Sequence, residues 1–515
     1  MEQYLIGVDL GTSCTKAAIY RIDGTLVAEA SQEVPLYYPE PGVVEQENQD
    51  FYDSAAQTVS RCMKLSGIDA RQVKAIAFDS QMAGIGSVDE DFQPVTRYDS
   101  WLDMRCQPFI DQMKREAGDR VTELTGCPPT CNHGPKIMWW MNEKPHDYQR
   151  IVSFLTPSAY VAGTMAGLKG DQAFMDYTFI HFSGLSDASS GSWSQELCER
   201  FGVDINKMPE IVEPWKVVGE VRERAAADFG LVAGIPISAG AGDTAANALG
   251  AGIVKAGMVF DVAGTAAVLA GCTDRYIADR ENRALLTMRS VVPGLWNPLA
   301  YIAGGGIALK WFRDQFYSSQ QNKKQLNDDE LYEKMIGLAD QVSPGANGLF
   351  FSPHLGGRIC PASPAMRGAW LGFSFGHVKA DFCRAILESV AFEYAYYLRI
   401  LGEMVEDLEL IETRVVGGGA RSSIWNQIKS DVLNVPYQRL RRSEFGTWGC
   451  ALIAGKSVGI YDDLAVEASH YAELDGLPVY PDLTRHKIYK GLTDKYISMQ
   501  KNLEGWFSRQ NRKGA

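Results

Sequence analysis

Val8-Asp9-Leu10-Gly11-Thr12-Ser13 decides the fold: an apolar strand ends on an acid and breaks at once into a Gly-Thr-Ser turn. Around it, Tyr4 to Val8 and Thr15 to Tyr20 are apolar, Asp23-Gly24 is a hairpin signal and Thr25 to Ala30 follows, which predicts three antiparallel strands. Asn48 is placed to cap a helix carrying Phe51, Ala55, Val59, Cys62 and Met63 on one face. Gly67 stands where a C′ glycine belongs, and Val73 to Phe78 reads as the next strand. A meander followed by helix and strand is an α/β pattern.

The opening pattern recurs far down the chain. Asp261-Val262-Ala263-Gly264-Thr265-Ala266 again runs a strand into Gly-Thr before another apolar strand. Two similar hairpins imply two similar halves, with a boundary just after Asp243 and a cleft between them as the natural place for a ligand. In the second half Asp381 is expected to cap a helix bearing Phe382, Ala385, Ile386 and Val390. Thr413 to Val416 reads as a strand, followed by Gly417-Gly418-Gly419 and a helix opened by Ser422 or Ser423. Strand, glycine turn and helix N-terminus together make a cradle for phosphate or nucleotide.

The 515 residues, 46% of them hydrophobic, can bury a large core without staples. Fifty Lys and Arg against 63 Asp and Glu leave a net charge of −13, which disfavours a nucleic-acid partner. No signal peptide is visible at Met1 to Gly7. The long uncharged run Ser290 to Leu309 contains Pro293, Pro298 and Gly304-Gly305-Gly306, and reads as a buried strand-turn-strand passage, not a membrane span. No membrane partner and a cytoplasmic location are therefore expected. Ten scattered cysteines fit reduced thiols. Cys127, Cys131 and His133 offer soft metal ligands, but no second cluster closes a tetrahedral site, so a Pro-rich loop is the preferred reading. The seven histidines have no metal-ligand spacing, and His133, His354 and His377 are expected to be satisfied locally.

Two stretches carry chemistry. After Asp9, the backbone N–H groups and hydroxyls of Gly11, Thr12 and Ser13 can point at phosphate oxygens while Asp9 holds Mg²⁺ through water, and Lys16 is near enough to add charge. A structural turn with a solvated acid is the alternative, and no Walker A loop is present. Gly240-Ala241-Gly242-Asp243-Thr244-Ala245-Ala246-Asn247 places one acid among residues too small to cover it, so Asp243 can accept a proton from a substrate hydroxyl, or simply cap the helix starting at Thr244.

These stretches, with Gly417-Gly418-Gly419-Ala420-Arg421-Ser422 and the passage from Gly368-Ala369-Trp370 to Glu388, resemble the FGGY carbohydrate kinases, xylulokinase-like and gluconokinase-like branch. They stand in that family's order over most of the chain. The resemblance implies an α/β fold of two ribonuclease-H-like domains, of the actin and hexokinase ATPase type, around a central cleft. Residues 1–246 would form the sugar-binding side, with the catalytic base at its end, and 247–515 the nucleotide side. It implies ATP and Mg²⁺, with Asp243 as general base and Asp9 with Asp243 organising the metal. Gly11, Thr12, Ser13 and Lys16 would form the first phosphate loop, Gly264 and Thr265 the second. Gly306 and Lys310 would lie beside the phosphates, and Gly418, Gly419 and Ser422 on the adenosine side. Related kinases are often dimers, which leaves a homodimer open.

The acceptor side departs from the family. Asp79-Ser80-Gln81-Met82-Ala83-Gly84 resembles a segment that in typical xylulokinases reads Gln-Met-His-Gly, so Ala83 replaces one sugar-binding partner. Trp101, Asp103 and Arg105 match the next pocket segment. Trp101 can stack on a sugar face, and Asp103 or Arg105 can bind hydroxyls or a carboxylate, or pair with each other. Thr244 stands where many relatives carry Asn or Gln. The expected acceptor contacts are Gln81, Met82, Trp101, Asp103, Asp243 and Thr244. The expected function is ATP-dependent phosphorylation of a small sugar, foremost a ketopentose such as xylulose or ribulose, with gluconate or a polyol as alternatives and a non-catalytic sugar or nucleotide sensor as the rival class.

Overall fold

The computed structural model describes residues 2–317 and 327–511. Its first half is built on a mixed sheet. β1 (Tyr4–Leu10), β2 (Cys14–Arg21) and β3 (Leu26–Glu33) form the antiparallel meander, and β4 (Val73–Ser80) runs parallel to β1 on its other side. Beyond β4 lie β5 (Val217–Glu220) and β6 (Pro236–Ser238), and the short β7 (Ala241–Gly242) also pairs with β4. β1 is almost wholly buried, as its near-continuous apolar sequence requires of a strand covered on both faces.

The helix α1 (Asn48–Ser66) packs on β2 and β3 and ends at Gly67 with φ 64°, the left-handed C′ conformation read from the sequence. The expected Asn48 cap is not formed. Asn48 is already helical and buried, and its amide donates to Thr96 O at 2.8 Å, so Glu47 takes the cap position.

The second half repeats the plan. β8 (Met258–Ala263) and β9 (Ala267–Gly271) form a hairpin. β10 (Leu286–Arg289) and β11 (Trp296–Ile302) extend it on one side, while β12 (Glu412–Val416) runs parallel to β8 on the other, with β13 (Tyr437–Arg439) outside it. Each half therefore has a hairpin, a further antiparallel strand beyond its second member and a parallel strand beside its first. That arrangement is the duplication predicted from the two Gly-Thr hairpins, in the α/β, ribonuclease-H-like form that the resemblance implies.

Two details differ from expectation. The uncharged run 290–309 is a turn, then β11, then a glycine turn into the helix α4 (Gly306–Phe312), because the preceding strand β10 ends at Arg289. The helix α5 (Lys379–Met404) starts at Lys379, and Asp381 sits in its first turn, accepting from Val378 N at 2.7 Å, instead of capping it. α6 (Ser423–Leu433) is capped by Ser422, whose Oγ accepts from Trp425 N.

α7 (Phe445–Ser457), far along the chain, packs not on the second sheet but on β1, β4 and the helix α3 (Asp243–Gly250). Gly449 permits this, since a Cβ there would lie 2.1 Å from Ala246 O. Among the described residues no helix is long and apolar enough to cross a membrane.

Candidate active site

Asp9, Asp79 and Asp243 stand at the carboxyl ends of β1, β4 and β7, three strands running the same way. Asp9 is opposite Asp79, and Ala241-Gly242 is opposite Asp79-Ser80, so the register brings the three acids to one edge. Ligands in open α/β sheets bind outside such strand ends.

The three carboxyls are unequal. Asp79 is fully buried; its Oδ2 accepts from Cys450 Sγ at 3.3 Å and its Oδ1 has no partner among the described residues. Burial, then the neighbouring Asp9 charge, holds its carboxyl well above the usual range. Burial raises Asp9 as well. Asp243 is pushed up to about 7 by burial and by Asp9. Its Oδ1 accepts from Thr244 N at 2.5 Å and from Thr244 Oγ1 at 3.1 Å. The Asp243 carboxylate thus braces the first turn of α3 through Oδ1. Gly446, at the start of α7, closes the back of the trio, since a Cβ there would be 2.9 Å from Asp79 Oδ2 and 3.5 Å from Asp9 Oδ2.

Carboxylate oxygens gather at this edge, one of them unpartnered among the described residues, and such hard donors suit Mg²⁺. Among the described residues no group of three or more His, Cys, Asp or Glu is arranged to hold a metal ion. The zinc alternative for Cys127, Cys131 and His133 has no support there, and all ten cysteines are free thiols.

The turn after Asp9 is tied to the acceptor-side segments. Gly11 N donates to Cys14 O, Thr12 Oγ1 donates to Gln81 Oε1 at 3.2 Å, and Trp101 Nε1 donates to Thr12 Oγ1 at 2.9 Å. Gln81 is buried and its amide also donates to Gln46 Oε1. Ser13 lies exposed at the turn's tip. Lys16, opposite Asp9 on β2, pairs with Glu444 at 2.9 Å just ahead of α7. In the second half, Gly264 O and Thr265 O accept from Gly306 N and Ile307 N, so the second Gly-Thr turn and the start of α4 form one unit. Lys310 and Thr265 are exposed on it, as is Gly418 after β12, while Gly419 packs on Ala263 and Trp425.

On the acceptor side, Met82 lies against Gly242, next to Asp243, and Ala83 takes a left-handed φ of 65°. Trp101 is 43% exposed at the rim. Asp103 takes the pairing alternative. It is fully buried, accepts from Val44 N and Arg105 N, and grips the Arg105 guanidinium, which also reaches Glu45 at 2.6 Å. Asp103 and Arg105 are thus engaged with each other and with Glu45.

Three residues carry no assignment from the motifs. Asp79 had a signal, because Ala75-Ile76-Ala77-Phe78-Asp79 is a second apolar strand ending on an acid. Tyr98 and Tyr301 had none. Burial, then the Asp243 charge, raises both phenols, and the Tyr98 hydroxyl is buried without a partner among the described residues. The histidines split. His354 Nε2 meets Glu393 at 3.2 Å and His377 Nδ1 accepts from Ser374 N, so each ring has one local partner, while His354 Nδ1 and His377 Nε2 have none among the described residues. His133 contradicts the expectation of a locally satisfied ring, since neither of its buried nitrogens has a partner among the described residues.

Paired ribonuclease-H-like halves with acids gathered at the strand ends of one of them define a phosphotransferase of the actin and hexokinase type. Comparison with known proteins agrees. The sequence profile of the FGGY family of carbohydrate kinases, N-terminal domain, matches residues 4–250, and that of its C-terminal domain matches residues 261–458. The chain belongs to the FGGY family of carbohydrate kinases. It is 25% identical to the xylulose kinase of Bacillus subtilis over 496 residues, 96% of each chain. To the gluconokinase of the same organism it is 27% identical over 441 residues, 84% of this chain and 83% of that one. Its fold matches the crystal structure of gluconate kinase from Lactobacillus acidophilus with a TM-score of 0.90 at 21% identity, covering 99% of this chain and 100% of that one.

Proposed function

We propose that this carbohydrate kinase transfers the γ-phosphoryl group of ATP to a hydroxyl of a small sugar, foremost a ketopentose such as xylulose or ribulose, in the cytoplasm. The observation that carries the reading is the placement of Asp243 beside Asp9 and Asp79, with its carboxyl raised to about 7. A base with that affinity is half deprotonated near neutral pH, where proton transfer is best matched.

The acceptor hydroxyl gives its proton to Asp243 Oδ2 as its oxygen bonds to the γ-phosphorus, and the bond from phosphorus to the β,γ-bridging oxygen breaks to release ADP. Thr244 fixes the carboxylate through Oδ1, which keeps Oδ2 aimed at the acceptor. Asp9 and Asp243 would hold Mg²⁺, which supplies charge neutralisation for the phosphates. Gly11, Thr12, Ser13 and Lys16 would serve the phosphates from the side of residues 1–246. Gly264, Thr265, Gly306, Lys310, Gly418, Gly419 and Ser422 would serve the nucleotide from residues 247–515. Gln81, Met82, Trp101 and Thr244 line the acceptor side. The retained acids disfavour a non-catalytic sensor.

The test is Mg-ATP-dependent ADP release across ketopentoses, ketohexoses, aldonic acids and polyols, the last two included because of the gluconokinase similarity. A ketopentose that stimulates release far above the no-sugar rate supports the proposal. No acceptor above that rate removes it.

A further inference from the structure

Asp9 and Lys16 stand directly opposite each other on β1 and β2, so their side chains leave the sheet on the same face. Opposite charges placed in this way ordinarily pair across the strands. Here they do not. Lys16 Nζ donates to both carboxylate oxygens of Glu444, at 3.1 Å and 2.9 Å, and Asp9 has no ion pair among the described residues.

Glu444 lies 428 residues further along the chain, immediately before α7, and it meets Lys16 because α7 packs on β1, β2 and β4. It holds the cap position of α7 without bonding the free N–H groups of the first turn, so its carboxylate serves Lys16 and not the helix. Two residues on, Gly446 lies against the Asp9 and Asp79 carboxyls. The start of α7 therefore touches both the acids and the cation that could neutralise them. Burial works against the Lys16 charge, yet Glu444 first, and Asp9 after it, hold the ammonium above its usual range. The pair is open to solvent, with 41% of the Lys16 side chain and 30% of the Glu444 side chain exposed. Ion pairs as exposed as this one contribute little to stability, which leaves bracing of the fold a poor account of it.

We propose that Glu444 is a positioning residue that withholds the Lys16 ammonium from Asp9, leaving the Asp9 carboxylate to the divalent cation that accompanies the nucleotide. Without Glu444, the acid directly across from Lys16 is Asp9. An ammonium seated there competes with the divalent cation for the same oxygens.

The proposal rests on the kinase reading, in which Asp9 takes part in holding Mg²⁺. Its test needs no turnover: calorimetry on the full chain gives the factor by which Mg²⁺, in place of EDTA, tightens ADP binding. In wild type Mg²⁺ is expected to tighten it. A charge beside a carboxylate changes its proton affinity by about one to three powers of ten, so in Glu444→Gln and Glu444→Ala that factor should fall about tenfold or vanish. Lys16→Met in either background removes the competing ammonium and should return the factor to the wild-type value, even where ADP itself binds more weakly. Lys16→Met alone should leave the factor near that of wild type. Rescue by the second substitution is a result that a merely structural glutamate would not give. Melting temperatures of the Glu444 variants should move little. Should Glu444→Ala melt early, Glu444→Gln, which keeps the side-chain volume, carries the comparison. An unchanged or larger factor in the Glu444 variants, or a fall that Lys16→Met does not restore, overturns the proposal. Wild type that binds ADP with no gain from Mg²⁺ also overturns it, while leaving phosphoryl transfer open. Wild type that binds no ADP removes the kinase reading itself.

Discussion

Asp9 and Asp79 face each other across two parallel strands; burial keeps both carboxyls above their ordinary range, and the Asp9 charge pushes Asp79 up further. Neither acid has a cation in direct contact. Lys16, opposite Asp9, spends its charge on Glu444, and the nearest donor to Asp79 is a thiol. Such a like-charged edge stores unfavourable interaction in the unliganded protein that a bound divalent cation relieves.

Replacing Asp243 by Ala removes the proton acceptor and leaves the nucleotide loops in place. Transfer should fall by at least about two to four powers of ten, while ADP binding measured by calorimetry stays within a few fold. Undiminished turnover would remove Asp243 from the base role.

The pH profile of the same group is a second check. With the Asp243 carboxyl at about 7, kcat/KM should rise about tenfold per pH unit below neutrality and level off above it. An Asp243→Ala chain with residual activity should lose that limb.

Stability should move in the opposite sense. Asp243 has a folded affinity raised to about 7 against an ordinary carboxylate near 3.8, so the folded state holds the extra proton between those values. Its contribution is present in full below the lower value and lost as pH rises through about 7. In metal-free protein, Asp243→Asn should therefore gain on wild type between pH 5 and pH 8, by on the order of 2 to 4 kcal/mol. Urea titrations at the two pH values read the difference.

Gly449 and Gly402 make a matched pair. A Cβ at Gly449 would meet Ala246 O at 2.1 Å, whereas one at Gly402 in α5 meets nothing within 4 Å. Gly449→Ala should cost about 1 to 3 kcal/mol by overpacking α7 on α3, and Gly402→Ala should add about 0.5 to 1 kcal/mol by helix propensity. Thermal melts of the two variants should shift in opposite directions.

Lys429 and Asp261 form a fully buried pair at 2.6 Å, completed by the Tyr394 hydroxyl at 2.7 Å from the other carboxylate oxygen. Lys429→Met leaves Asp261 charged and nearly alone under the second sheet, which should destabilise the chain by about 3 to 5 kcal/mol. The double variant with Asp261→Asn should recover much of that loss.

Much of the fold was legible because it rests on local signals. Strands of period two, a Gly67 cap and a repeated Gly-Thr hairpin are written in neighbouring residues, and they fixed the meander and its second copy. Helix starts were less legible, since a side chain suited to capping can be claimed elsewhere, as Thr96 O claims Asn48. The acids Asp9 and Asp243 could be read from the small residues around them. Their neighbours Asp79, Tyr98 and Tyr301 come from separate segments and are joined to them only by strand register and packing.

The sequence alone determined the duplicated α/β plan and the acid-bearing turns, because hydrophobic period and glycine position act over a few residues. It left the use of each polar group open. Asp103 and Arg105 stood as sugar ligands or as each other's partner, and only burial beside Glu45 and Val44 N made them a pair. His133 read as a satisfied ring, and its burial at the start of the helix α2 (His133–Glu143) leaves neither nitrogen a partner among the described residues. Desolvation and hydrogen-bond supply depend on every segment that converges on a point, and that convergence is set by the tertiary structure.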